Sequence, residues 1–586
     1  MKPSISIFIL AVARPTTLLF IFTCLPTHLV VTASQSSKLS LQREKEALVQ
    51  SRWWYDYANN KSVSPCRWPG ISCNHAGSVT QICLHHYIGS YLSYLSLSSF
   101  PNLVRLDLFR ARLDGSVPTE IGNLSKLTHL NLSSNSLEGQ LPLSLGNLSQ
   151  LVVLDLSSNS FYGFIPLSLG NLSQLVMLDL SDNSFNGSIP LSLGNLSQLV
   201  VFNLSDNSLN GSIPQELGNL KNLVALDLSR NYFMGPIPST LGLLTELTHL
   251  SIFGNSIKTE FPLPLTSLTQ LVELNASCCQ ISGPVPPEIG NLKNLRRLDL
   301  SDNRLYGPLP PSLSHLVILS ELYLDSNQIN GSIAPKIIMN WRLLTSLSLS
   351  HNQFSGSIPK EIGNLEKLTY LDLRANKLSG PLPPSLSHLV ILSELYLDSN
   401  QINGSIAPEI IMNWRLLTSL SLSHNQFSGS IPKEIGNLEK LTYLDLRDNK
   451  LCGPIPDVLL NIYLFIYFGG NKDLCSNVYT YRHVFPRCSQ PQAINKGKKI
   501  LLSISILVVS FSIIGVILVY KRVKKHKRVQ QYARETKNGD LFSIWNYDGK
   551  IAYEDIINAT EDFDIKYCKP QEIYTLKIIN DVINLN

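Results

Sequence analysis

Twelve side chains of this sequence combine a recognition chemistry with the outward position of a short strand. They are Phe109, Arg110, His129, His249, Phe253, Arg297, Tyr323, Tyr370, Arg374, Tyr396, Tyr443 and Arg447. Aromatic and arginine side chains gathered on one surface are the usual anchors for an extended peptide or a partner domain. The chemistry open to this set is non-covalent recognition. Asp155, Asp179 and Asp227 recur at multiples of the same interval as their surroundings. They read as a polar ladder along one face, not as the separated carboxylate pair of a glycoside hydrolase. No Cys/His cluster has the spacing of a zinc site, and no catalytic residue, metal or cofactor is expected. Tyr323/Tyr396 and Tyr370/Tyr443 are copies of one another, so they count as two observations and not four.

These residues must be positioned by a repeat. From Val79 to about Pro456 the sequence recurs with a period of 24, occasionally 25. One copy, starting at Leu151, reads LVVLDLSSNSFYGFIPLSLGNLSQ. The marker asparagines are Asn135, Asn159, Asn183, Asn207, Asn231, Asn255, Asn303, Asn327, Asn352, Asn376, Asn400, Asn425 and Asn449; Tyr87, Ala111 and Cys279 keep the register without the residue. The pattern L-x-x-L-x-L-x-x-N-x-L at this period is that of leucine-rich repeats. Alternation in x-L-x-L predicts a short strand with leucines inward. The asparagine amide can satisfy backbone groups of its own and the neighbouring repeat. The G-x-I-P and L-G-N-L segments are expected to form an extended piece followed by a turn or 3₁₀ segment. The fold class is therefore an α/β repeat: a leucine-rich-repeat solenoid of about sixteen repeats, parallel strands on the concave face and short 3₁₀ or turn segments on the convex side. Residues 307–379 and 380–452 are nearly identical at an offset of 73, with Lys336 against Glu409 among the few differences. That duplication implies an array that tolerates lengthening.

Composition and the two ends supply the setting. Leucine is about one residue in six, charged residues are only 16%, and the net charge is +5, which points away from a nucleic-acid partner. Residues 1–33 fit a secretory signal peptide, with an uncleaved anchor as the alternative. Ile500–Tyr520 is uncharged over a length that spans a bilayer as a helix. Six basic residues follow it and three precede it, which predicts a single pass through the plasma membrane with the N-terminus outside. Between these lie an N-terminal cap (34–78), the solenoid (79–458) and a C-terminal cap and linker (459–499). A cytoplasmic tail (521–586) follows the span. Cys66 with Cys73, and Cys475 with Cys488, are expected to staple the caps; Cys83, Cys278, Cys279 and Cys452 have no evident partner. Twelve Asn-x-Ser/Thr sequons precede the span: Asn60, Asn123, Asn131, Asn147, Asn171, Asn186, Asn195, Asn203, Asn210, Asn275, Asn330 and Asn403. Such sequons mark exposed surface of a secreted chain.

The L-x-G-x-I-P repeat, the cap WWYDYANNKSVSPCRWPGISC, the Lys-rich stop and the stretch LFSIWNYDGKIAYEDIINATEDFDIKYC (541–568) resemble plant leucine-rich-repeat receptor-like kinases. The resemblance covers residues 1–568. It implies a plasma-membrane receptor that binds an extracellular peptide, recruits a leucine-rich-repeat co-receptor kinase and signals through a cytosolic Ser/Thr kinase. After Cys568 the sequence departs: KPQEIYTLKIINDVINLN contains no Gly-rich phosphate loop, and no H-R-D or D-F-G occurs. The expectation is a member truncated before its kinase, which is not an enzyme and signals through a kinase-bearing partner or acts as a decoy. Two alternatives stand beside it. One is an active receptor kinase of which this is an incomplete sequence; the other is an inhibitor of wall-degrading enzymes.

Overall fold

The chain is seen in a computed structural model. It describes residues 35–58, 63–85, 88–461, 465–477 and 485–488, with five separate helical positions between 513 and 521. The expected signal peptide, most of the expected span 500–520, the tail after Lys521 and Asn60 lie outside the described residues. Among the described residues, no helix is long and apolar enough to cross a membrane.

The x-L-x-L segments form strands of mostly three residues. In Val153–Asp155 the middle leucine is fully buried and its neighbours face outward. Identical positions lie side by side: Val153, Leu154 and Asp155 pair with Met177, Leu178 and Asp179. Repetition of this register builds one eighteen-stranded sheet, in which only Ile71–Cys73 is antiparallel, against Val79–Cys83. A strand at Phe465–Tyr467 extends the array one rung past the expected boundary at 458. The last copy is shortened, which hides it from the period, yet Asn471 fills the ladder position.

The asparagines do what their chemistry allows. Asn159 Nδ2 donates to Leu132 O at 3.0 Å and to Leu156 O and Ser157 O at 3.1 Å, while its Oδ1 accepts from Leu137 N at 3.0 Å. One amide thus ties two rungs together. The preceding residue turns the chain in the left-handed region, as at Ser158 (φ 52) and Asp182 (φ 53). Polar residues with short side chains tolerate that conformation best.

The convex side carries 3₁₀ segments such as Leu143–Asn147 and Leu167–Asn171. Two rungs substitute a short α-helix, Pro335–Ile338 and Pro408–Ile411. The extended pieces do more than predicted. They pair into a second, lateral parallel sheet, in one stack of six strands and one of nine. Between the stacks, Thr259 replaces the usual glycine and Lys258 is forced to φ 53, so only single bridges, Met234 with Ser256 and Glu260 with Ser282, cross the gap. Cys279 compounds the break: its thiol donates toward Ile252 O and Ser277 O, but it offers no oxygen for Ile257 N.

Both ends of the core are covered. Helix Gln35–Ser51 inserts buried Glu44, whose carboxylate accepts from Ser78 Oγ and from Val79 N at 2.9 Å. The Cys66–Cys73 disulfide holds the segment carrying Trp68, and Trp54 Nε1 donates to Pro69 O at 2.9 Å. At the other end Cys475–Cys488 is bonded and Phe485 meets Phe468 edge-on, their ring centroids 6.2 Å apart.

Candidate ligand-binding face

Each rung presents three outward positions on the concave sheet: before, between and after the two strand leucines. The middle column of the N-terminal half is a row of enclosed carboxylates. Asp155, Asp179 and Asp227 each accept from the backbone N–H and hydroxyl of the serine two residues on; for Asp179 these lie at 3.0 and 2.6 Å from Ser181. Burial pushes the Asp155 and Asp227 carboxyls above the usual carboxylate range. Burial, and then the neighbouring Asp155, push Asp179 up to about 7 against the donations from Ser181 and Asn203. At the N-terminal edge Asp107 meets Arg105 Nη2 at 2.8 Å and His85 Nε2 at 3.1 Å.

The C-terminal half has a different chemistry. Tyr323, Tyr396 and Tyr467 occupy the middle column of every third strand, and a guanidinium from the preceding strand lies over each ring. The distances to the ring centre are 5.3 Å for Arg297, 4.3 Å for Arg374 and 4.8 Å for Arg447. Arg374 is fixed by Asp372, with Nη2–Oδ2 at 2.6 Å, and Arg447 by Asp445 at the same distance. Arg297 bridges Glu321 at 2.6 Å and Glu273 at 3.4 Å. Tyr370 packs against Tyr396, and Tyr443 against Tyr467, with centroids 6.0 and 5.9 Å apart. Burial raises the Tyr323, Tyr370, Tyr396 and Tyr443 phenols. They remain neutral donors. No cluster of His, Cys, Asp or Glu able to hold a metal ion exists among the described residues.

The family described as leucine-rich repeat region matches residues 178–301 and 309–459, and the single leucine-rich repeat matches 126–148, 150–172 and 294–316. The chain is a leucine-rich-repeat protein. The MDIS1-interacting receptor like kinase 2 of Arabidopsis thaliana is 32% identical over 107 residues, which is 17% of this chain and 10% of that protein. Receptor-like protein 35 of the same plant is 35% identical over 136 residues, 19% of this chain and 14% of its own length. The chain therefore spans a small part of the curated relatives it matches. Among solved structures, the plant peptide hormone receptor RGFR1 in complex with RGF2 is similar over 70% of this chain and 84% of that one, at 29% identity and a TM-score of 0.58. A TDR receptor is similar over 66% and 79%, at 28% identity and a TM-score of 0.54. These relatives are plant leucine-rich-repeat receptors and their ectodomains.

On this leucine-rich-repeat frame the sequence-selected residues do not all fall together. Arg110 is a correction: it lies in the left-handed turn after its strand (φ 55), exposed, with its guanidinium 5.0 Å above Phe109. The turn wins because position 110 precedes the ladder position, where every rung must reverse. Phe109, edge-on to His85, and His129 cluster with Arg105 at the N-terminal end. His129 and His249 are half-buried, and burial lowers both imidazoles below their ordinary value. Phe253 stands in mid-array under Arg230, 5.1 Å away. Tyr323, Tyr370, Arg374, Tyr396, Tyr443 and Arg447 do converge, and Arg297 borders them. Sequence reasoning missed His85, Arg105, Glu273, Glu321 and Tyr467. Their column positions would have found all but Tyr467, which sits on the shortened last rung.

The sequons divide as well. Asn123, Asn147, Asn171 and Asn195 end 3₁₀ segments and are exposed, and Asn186, Asn210, Asn330 and Asn403 are exposed on the lateral sheet. Asn131, Asn203 and Asn275 stand instead on concave strands. Asn203 is buried and donates to Asp179 Oδ2 at 3.1 Å, so the folded protein closes it to a glycan.

Proposed function

We propose that this protein is a single-pass receptor of the plant cell surface whose repeat array faces outward and binds an extended peptide on its concave sheet. The supporting observation is the gathering of tyrosine, arginine and carboxylate groups on the C-terminal half of that face, on strands held rigid by the asparagine ladder. Pairs of strands at fixed separation suit a ligand laid along the array, because a rigid face loses little freedom on binding. The RGFR1 structure, solved with RGF2, is consistent with such a ligand. The exposed sequons on the convex and lateral surfaces carry glycans in this reading and leave the concave face open.

The test is capture of peptides from a secreted-peptide extract by the full-length protein. A saturable ligand is expected, weakened about tenfold by Tyr396→Ala, an anchor-sized loss, and unaffected by Leu167→Ser on the convex side. A folded protein that retains no peptide, or one equally sensitive at Leu167, would overturn the proposal.

A further inference from the structure

The duplication of 307–379 in 380–452 places two copies of one slot on the concave face. In the first, Ser346, Ser348 and Ser350 form a floor between the strands carrying Tyr323 and Tyr370, enclosing about 350 Å³. In the second, Ser419, Ser421 and Ser423 lie between Tyr396 and Tyr443, enclosing about 450 Å³. Serine is the only residue the middle strand presents outward, and all six serines are buried.

The first slot is lined by Asp325 and Asp372 against Arg374, the second by Asp398 and Asp445 against Arg374 and Arg447. Arg374 and Arg447 hydrogen-bond to Asp372 and Asp445, and Arg374 also feels the Asp398 charge. Asp325 and Asp398, at the same corner of the two slots, form no ion pair among the described residues. Burial, with Asp299 and Asp302 near by, lifts the Asp325 carboxyl above its ordinary range against the donation from Ser348. Tyrosine walls, a hydroxyl floor and a carboxylate corner together suit a lysine or arginine side chain, which donates to oxygens and lies against aromatic faces.

Spacing supplies the second argument. Equivalent residues of the two slots are three strand steps apart, about 14 Å at the usual separation of paired strands. An extended peptide covers about 13–14 Å in four residues. An even interval also returns its side chain to the same face. We propose that the two slots are equivalent subsites for one extended peptide, each taking a basic side chain, so that the protein selects ligands with lysine or arginine at positions i and i+4. This rests on the peptide-binding reading above and specifies its ligand.

The experiment measures binding of short fluorescent peptides of one composition to the full-length protein by anisotropy. Their two arginines stand two, three, four or six residues apart. The four-residue spacing should bind about tenfold more tightly than the others, because only it makes the second contact intramolecular. Asp325→Asn or Asp398→Asn should each abolish that preference, with circular dichroism verifying the fold; the spacing series on the unsubstituted protein decides the matter if a variant misfolds. Equal affinities across spacings, or indifference to both substitutions, would overturn the two-slot inference. A secreted peptide whose capture depends on Tyr396 but not on Asp325 or Asp398 would do the same while leaving the receptor reading in place. A folded protein that binds neither these peptides nor any from the extract overturns both.

Discussion

Asp179 shows how much of this protein's behaviour is set by single side chains. It is buried between Asp155 and Asn203 on the flanking strands, and its carboxyl is pushed up to about 7 by that burial and by Asp155. Between the ordinary carboxylate range and that value, the folded protein holds a proton that the unfolded chain has lost. Folding stability must then fall as pH rises from about 4 to about 7, since the unfolded state binds fewer protons. Asp179→Asn keeps the shape, retains an oxygen for Ser181 and removes the titration. It should flatten that part of the pH profile and stabilise the protein at pH 7 by on the order of 1–2 kcal/mol. Denaturant unfolding of both proteins across this range is the measurement, and parallel profiles would refute the assignment. The period revealed these aspartates as a row on one face. It could not reveal their burial, which depends on how closely neighbouring strands bring their own polar side chains over them. Asn203 illustrates the same point: its sequon is local, whereas its bond to Asp179 is made across a strand.

At the scale of elements, the strand and the 3₁₀ segment were legible because each is written in local chemistry, alternation for one and L-G-N-L for the other. The lateral sheet was not, since its pairing arises only when rungs stack. Its interruption at Thr259 and Cys279 shows what each repeat must supply for the stack to continue. Glycine serves two separable purposes here. A Cβ at Gly146 would lie 2.3 Å from Ser168 O in the next 3₁₀ segment, whereas one at Gly235, where φ is +80, would meet nothing within 4 Å. Gly146→Ala must force two rungs apart and should cost about 3 kcal/mol, the upper end of overpacking losses. Gly235→Ala pays only for its left-handed backbone, about 1 kcal/mol. Equilibrium unfolding of the two variants should separate them by about 2 kcal/mol. Equal losses would mean that backbone conformation, and not the approach of adjacent rungs, fixes the glycine of L-G-N-L.

For the whole molecule, the leucine excess and the low charge have one cause: every rung contributes buried leucines to a core shared only with its neighbours. An array built this way should lose a block without losing its fold, provided the register is kept. The 73-residue duplication supplies the block. Deleting 380–452 joins Ser379 to Gly453, where the natural chain has Cys452 before Gly453, so the motif K-L-x-G-P is restored across the junction. Arg374 then takes the place of Arg447 beneath the last strand, able to cover Tyr467 as Arg447 does at 4.8 Å. The shortened protein should keep the same circular dichroism per residue and a single cooperative transition at lower denaturant concentration. Deleting 380–440 breaks the period and should leave strands with no partner in register, yielding an unfolded or aggregated chain. Only one slot for a basic side chain survives in the first deletion, so arginine peptides should still bind but lose the four-residue preference. If the in-register deletion unfolds as badly as the out-of-register one, rungs depend on more than their neighbours. If it folds and retains the spacing preference, the second slot lies elsewhere on the face.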